Sequence, residues 1–163
     1  MTAKTFTNTA GGNWNVGSNW TMPGVPAGTD DAFINDPGTY TVTLSDVEAP
    51  HSITLDNADA TLSVTSNAKV LGSPIALDAG TFALGGLVLG STITSAGAAF
   101  TPSAGVLSGV VWKGPLIGAG MGRTDPGGDF GSDMATMVAE ALRARIRGRS
   151  NPRVVRARWA RSE

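Results

Sequence analysis

Two Asn-Trp pairs, Asn13-Trp14 and Asn19-Trp20, stand six residues apart in the stretch GGNWNVGSNWTMPGVPAGTDDAFIN, residues 11–35. Indole rings at such a spacing can do one of two things. They can present flat apolar faces on which sugar rings stack, or they can cover an apolar core that would otherwise lie open to water. Covering is the favoured reading, because an open end of a repetitive β-structure is both an unpaired edge and a hydrophobic patch. Asp30 and Asp31 follow as adjacent carboxylates. With Trp14 and Trp20 they complete the candidate ligand-binding set. Two carboxylates supply too few oxygens for Ca²⁺, which takes about six to eight, so the pair reads as turn or strand-start residues and no metal site is expected.

Other arrangements fall short of known chemistry. The heptapeptide GGDFGSD has Phe130 where a calcium-binding nonapeptide needs glycine. GAGMGR places Arg123 at the third glycine of a dinucleotide fingerprint, outside any βαβ unit. His51 is the single histidine, and no Gly-x-Ser-x-Gly elbow occurs. Lys69 and Lys113 are too sparse to serve as bases in an acid-rich groove. These residues mark no catalytic residue and no cofactor. Thr39, Thr41 and Thr43, with Thr61, Ser63 and Thr65, are spaced to form hydroxyl ranks on an outer strand face. Ranks of that kind bind ice or crystalline surfaces when regular; here a solvated strand face of good β-propensity is favoured.

Charge divides the chain sharply. Up to Gly122 the bases are Lys4, Lys69 and Lys113, against eight carboxylates and without any arginine. From Arg123 onward there are nine arginines and no lysine, against five carboxylates. Such a switch is a compositional boundary. Arg143, Arg145, Arg147, Arg149, Arg153, Arg156 and Arg158 form a candidate surface for nucleic acid or anionic lipid. With Trp159 as the one interleaved aromatic, a plain basic appendage is favoured and nucleic acid is not the expected partner. There are no cysteines, so a disulfide framework and a thiolate metal site are both excluded. The apolar stretches are short and glycine-broken, so no membrane span is expected.

The elements that must position these residues are short strands. Asp36-Pro37-Gly38-Thr39 reads as a turn, after which Tyr40, Val42 and Leu44 alternate with threonines, the period-two pattern of a half-buried strand. Further runs carry Ile53 and Leu55, Leu62 and Val64, Ile75 and Leu77, Phe82 and Leu84, Leu87 and Leu89, Ile93, and, in the single run GVLSGVVW, Val110 and Trp112. Gly-Gly, Asp-Asn and Ser-Asn pairs punctuate them. ATLSVTSNA and GTFALGGLV align at a spacing of twenty, which places Leu62 over Phe82 and Val64 over Leu84. DAGTFALGG and SAGVLSGVV align at twenty-five. Repeats of this length with small residues on the second face predict an all-β fold, a short parallel β-helix, with a β-sandwich as the alternative. The organisation expected is a β-solenoid over 1–118 with a Trp-rich N-terminal cap, a Gly-rich linker over 119–132, and a basic helix and tail over 133–163. That helix would start at Ser132 or Asp133, carry Met134, Met137, Val138, Ala141 and Leu142 on one stripe, and stop near Gly148.

Residues 12–118 resemble the repeat modules of bacterial autotransporter- and adhesin-like surface proteins, which are right-handed parallel β-helices. The resemblance rests on Asn-Trp, Gly-Val-Pro, Asp-Asp-Ala-x-Ile and the threonine-rich strand GTYTVTL, followed by ATLSV and LSGVVWKGPL. It implies a non-enzymatic structural or adhesive module of an exported or cell-surface protein, with glycans, matrix or neighbouring cells as partners; the two open ends of a short solenoid add end-to-end self-association as a further expected contact. A fragment of a polysaccharide-processing β-helix enzyme is the alternative, as is a basic-tail nucleic-acid-binding protein. The opening MTAKTFTNTA is not a Sec-type signal peptide, so a secreted or cell-surface location implies another export route, and a cytoplasmic location is the alternative. The arginine-rich end departs from the family pattern. From about Gly118 onward the chain is therefore read as something other than the solenoid's natural continuation: a fusion, a shifted frame or a truncated relative.

Overall fold

A computed structural model describes residues 1–118. The helix expected after Ser132 and the seven candidate arginines from Arg143 to Arg158 lie outside the described residues, as does the linker over 119–132.

The described chain winds as a β-solenoid. An N-terminal coil contributes β1 (Thr2–Thr5) and β2 (Gly12–Asn13) and ends in a short 3-10 turn at Gly17–Asn19. Four coils then repeat a three-strand course. The first comprises β3 (Asp30–Ile34), β4 (Tyr40–Leu44) and β5 (Val47–Glu48), and the second β6 (Ser52–Leu55), β7 (Ala60–Val64) and β8 (Lys69–Leu71). The third holds β9 (Ile75–Leu77), β10 (Thr81–Leu84) and β11 (Leu87–Leu89), and the fourth β12 (Thr92–Ser95), β13 (Ala99–Pro102) and β14 (Val106–Ser108). β15 (Val111–Lys113) and β16 (Ile117–Gly118) begin another. Equivalent strands of successive coils pair in parallel and make three sheets, in the orders β1-β3-β6-β9-β12-β15, β2-β4-β7-β10-β13-β16 and β5-β8-β11-β14. This is the solenoid and not the β-sandwich, whose sheets would be antiparallel.

Alternation explains why these residues form these strands. On β4, β7 and β10 every second side chain is buried, and the parallel register sets each on its counterpart in the next coil: Val42 beside Leu62, Leu62 beside Phe82, and Phe82 beside Phe100. A second column runs Ala32, Ile53, Ile75, Ile93 and Trp112 along the first sheet. A coil taken alone exposes such a row; stacking buries it, and each fully buried aliphatic contributes about 1.5–3 kcal/mol. The twenty-residue spacing is the true register, with Thr61 opposite Thr81.

Three sequence expectations are corrected. The twenty-five-residue alignment does not reflect pairing: Phe82 lies beside Phe100, and Val106 pairs with Leu87 in the third sheet. Both aligned segments begin with Ala-Gly before a strand, and their likeness marks a corner, not a shared rung. Leu87 and Leu89 do not face inward; Val88 is fully buried and Leu89 is exposed. A Leu-Val-Leu triplet has no polar member to set its phase, which comes from β8, where Lys69 must face water and so turns Val70 inward, beside Val88. GVLSGVVW is two strands instead of one, broken at Gly109, whose φ is +60°.

Some corners admit no side chain. A Cβ on Gly80 would stand 2.4 Å from the Asn57 carbonyl oxygen and 2.7 Å from that of Ala60, and its φ is +91°. Asn57 serves the neighbouring corner from its own side, donating through Nδ2 to the carbonyl oxygens of Asp36 (2.6 Å) and Gly38 (2.9 Å).

Candidate functional site

Four aromatic side chains meet where the N-terminal coil packs on β4. Phe6, Trp14, Trp20 and Tyr40 are all buried in the core. Trp14 and Trp20 meet edge-to-face at 4.6 Å between centroids, Phe6 and Trp20 likewise at 5.3 Å, and Phe6 stacks on Tyr40 at 5.9 Å. The Trp20 indole N–H donates to the Trp14 carbonyl at 2.8 Å, and the Trp14 backbone N–H extends the β2–β4 ladder onto the Thr43 carbonyl. With relative exposures of 0% and 2%, neither indole offers a ring face to a sugar. As stacking residues both are therefore corrected: packing has spent their faces on one another and on Phe6.

Asp30 and Asp31 are adjacent in sequence but point to opposite faces of β3, because strand side chains alternate. Asp30 is buried. Its Oδ2 accepts the Ala27 backbone N–H at 3.0 Å and lies 3.5 Å from Lys4 Nζ, which also donates to the Gly24 carbonyl at 3.0 Å. The Ala27 hydrogen bond, with the Lys4 charge behind it, holds the Asp30 carboxyl below the usual aspartate range. Asp31 faces outward, and its Oδ1 accepts from the Ser52 hydroxyl at 2.6 Å and meets His51 Nδ1 at 2.7 Å. The Ser52 hydrogen bond, then that of His51, lowers its pKa too. The two carboxylates therefore share no ligand position.

Asp31, His51 and Ser52 bring together the residue types of a hydrolytic triad in the wrong order. A triad passes the serine proton to histidine, with the acid behind the ring. Here the serine hydroxyl donates to the acid itself, so the imidazole does not activate it. Among the described residues no three His, Asp or Glu side chains converge as a metal site would require.

The outer face of the second sheet carries the hydroxyls. Thr41, Thr61 and Thr81 stand in one register row, and Asn13, Thr43 and Ser63 begin the next, which continues through Ala83 to Thr101. Neighbours along a row are about 4.8 Å apart and the two rows about 6.6 Å apart. The Thr65 hydroxyl does not join them; it donates to the Leu44 carbonyl at 2.9 Å. At the N-terminal end this face dips into a shallow depression of about 410 Å³ lined by Gly11, Gly12, Thr39, Thr41, Thr43 and Asp59, among others. Within it Gly11 sits tightly over Thr41, where an added Cβ would meet the Thr41 carbonyl oxygen at 3.0 Å.

One residue escapes a reading of the sequence. Glu48 points inward from β5, 8% exposed, opposite Val70 at the head of the column Val70, Val88, Leu107. A two-residue strand holds too little pattern to announce an inward acid. Burial raises its pKa, the Asp46 charge adds to that, and the side chains of Trp14 and Asn15 oppose it. Among the described residues no helix is long and apolar enough to cross a membrane.

No family model, no curated protein and no solved structure matches this chain.

Proposed function

We propose that the chain is a non-enzymatic structural or adhesive module of an exported or cell-surface protein, which presents its solenoid faces to glycans, matrix or neighbouring cells. One observation carries this reading: the outer face of the second sheet sets hydroxyls in register, Thr41-Thr61-Thr81 in one row and Thr43-Ser63 in the next, on a core filled from coil to coil by side chains. Such an array makes many equivalent hydrogen bonds to a polyhydroxylated or repeating surface. Its rigidity comes from the parallel ladders, so little ordering entropy is lost on contact. The depression at Gly11 and Asp59 is open and polar, suited to receiving the edge of a polymer and not to enclosing a reacting molecule. The resemblance of residues 12–118 to adhesin-like repeat modules points the same way.

The test is retention on a glycan array and on matrix-coated surfaces, comparing the chain with a Thr41→Val/Thr61→Val/Thr81→Val variant. These side chains lie on the outer face, so the variant keeps its β-type circular dichroism. Binding that drops at least tenfold in the variant supports the proposal. Binding that is absent from the parent chain, or turnover of uronic-acid polymers by it, overturns it.

A further inference from the structure

The depression at the N-terminal end of the hydroxyl face has a charge as well as a shape. β2 joins the second sheet only at Gly12, opposite Val42; just before it the Gly11 backbone N–H turns back onto the Asn8 carbonyl at 2.8 Å. Thr39, just before β4, and Thr41 on it share the depression with Ala10 and Gly11, which bring no long side chain to fill it. The pairing of Tyr40 with Ala60 and of Thr41 with Thr61 sets Asp59 beside Thr39 and two residues before Thr61. Thr39, Asp59, Thr61 and Thr41 thus mark the corners of a patch with sides of about 4.8 and 6.6 Å. All four line the depression.

The polar groups of this patch are free for a ligand. Among the described residues, the threonine hydroxyls that form hydrogen bonds are those of Thr7, Thr21 and Thr65. The ion pairs among the described residues are Lys4 with Asp30 and His51 with Asp31, so the Asp59 carboxylate has no cation of its own. Its turn is held from behind. The Asp59 backbone N–H donates to Asn57 Oδ1 at 2.9 Å, and Asn57 Nδ2 is bonded to the carbonyls of Asp36 and Gly38 in the coil before. The described bases lie elsewhere: Lys4 and Lys113 on the first sheet, Lys69 on the third, and His51 at the start of β6.

We propose that this patch binds a polymer of amino sugars with free amines: the Asp59 carboxylate takes an ammonium group, and the hydroxyls of Thr41 and Thr61 bond the sugar hydroxyls beside it. This rests on the adhesive reading above and narrows it to one class of glycan. An amino sugar carries its ammonium among hydroxyls, and the patch sets its carboxylate among hydroxyls in the same way. Threonine hydroxyls both donate and accept, so they serve the sugar hydroxyls in either sense. A uronic acid polymer brings negative charge to a carboxylate without a cation beside it and is repelled. An acetylated amine keeps a hydrogen-bonding group and loses the charge. Because the depression is open to water, the ion pair is screened, and it favours the free amine by about three- to fivefold.

The experiment measures binding of the whole chain to glucosamine oligomers, to the same oligomers after N-acetylation, to polygalacturonate, and to oligolysine of matched charge. Glucosamine oligomers should bind tightest, about three- to fivefold ahead of the acetylated ones, and about 1 M salt should erase the difference. Asp59→Asn should lower glucosamine binding to the acetylated level. Asp78→Asn, at the corner of the next coil and outside the depression, should leave it unchanged. Thr41→Val/Thr61→Val should weaken both oligomers together. Equal binding of the two oligomers, a preference that survives in Asp59→Asn, or oligolysine binding as tightly as glucosamine overturns this inference and leaves the adhesive reading standing. Absence of binding to every glycan and matrix surface overturns both. Asp59 is exposed, so Asp59→Asn is expected to fold; should it fail, acetylation of the ligand removes the same ion pair without altering the protein.

Discussion

Leu62 lies beside Phe82, twenty residues later, as direct partners in the parallel pairing of β7 and β10. Both side chains are fully buried, and Val42 and Phe100 extend the same column on either side. A residue in this position supports two interfaces at once, one with the coil before and one with the coil after.

Leu62→Ala is accordingly expected to destabilise by about 2–5 kcal/mol, because the cavity sits between rigid ladders that cannot close on it. Urea denaturation measures this. A loss below about 1 kcal/mol would mean that the columns repack freely.

Glycine substitutions separate crowding from backbone strain. Gly80→Ala meets two carbonyl oxygens at a φ of +91°, whereas Gly72→Ala, at +69°, meets nothing within 4 Å. Gly72→Ala should cost about 1 kcal/mol for the left-handed backbone alone, and Gly80→Ala at least about twice that. Thermal melts of the two variants side by side test the ranking; equal costs would contradict it.

Acid sensitivity should come from Asp30 and Asp31. Both are held below their ordinary value of 3.8 by hydrogen bonds. Their stabilising contribution is present above that value and disappears as the pH falls through the lowered folded one. Asp30→Asn should therefore flatten the acid limb of the stability–pH curve while reducing stability at neutral pH, where the Lys4 partner is lost. An unchanged acid limb in Asp30→Asn and in Asp31→Asn alike would show that other carboxylates govern it.

Trp20→Phe keeps the edge-to-face packing on Trp14 but removes the N–H that the Trp14 carbonyl accepts. The buried carbonyl loses its side-chain donor, and the expected cost is about 1–3 kcal/mol. Hydrogen exchange at backbone amides of Trp14 and Thr21 should quicken before that of Leu62, because the change is local to the first coil.

How much of the fold is legible in the sequence depends on where the pattern has polar punctuation. Tyr40, Val42 and Leu44 alternate with threonines, and Leu62 and Val64 with Thr61 and Ser63, so inward and outward residues are distinguishable and their stacking can be read. In Leu87-Val88-Leu89 all three side chains are aliphatic, and only the neighbouring coil decides which is buried. β1 escapes notice because Lys4, at a position whose neighbour in β3 is the buried Ala32, breaks the alternation; its partner Asp30 is distant in sequence. Trp14 and Trp20 are visible as a pair, but their burial depends on Phe6 and Tyr40 arriving from two other segments of the chain. Glu48 carries no local signal at all, since an acid in a two-residue strand reads like any surface acid until the column beneath it is seen.

The equivalence of Thr61 and Thr81 also makes the molecule divisible. Removing residues 61–80 would splice two points that occupy the same place on successive windings, leaving every column aligned and the rod one storey shorter. Length here is counted in whole storeys, and a lineage of such chains can be lengthened or trimmed by duplication and excision without inventing a new interior.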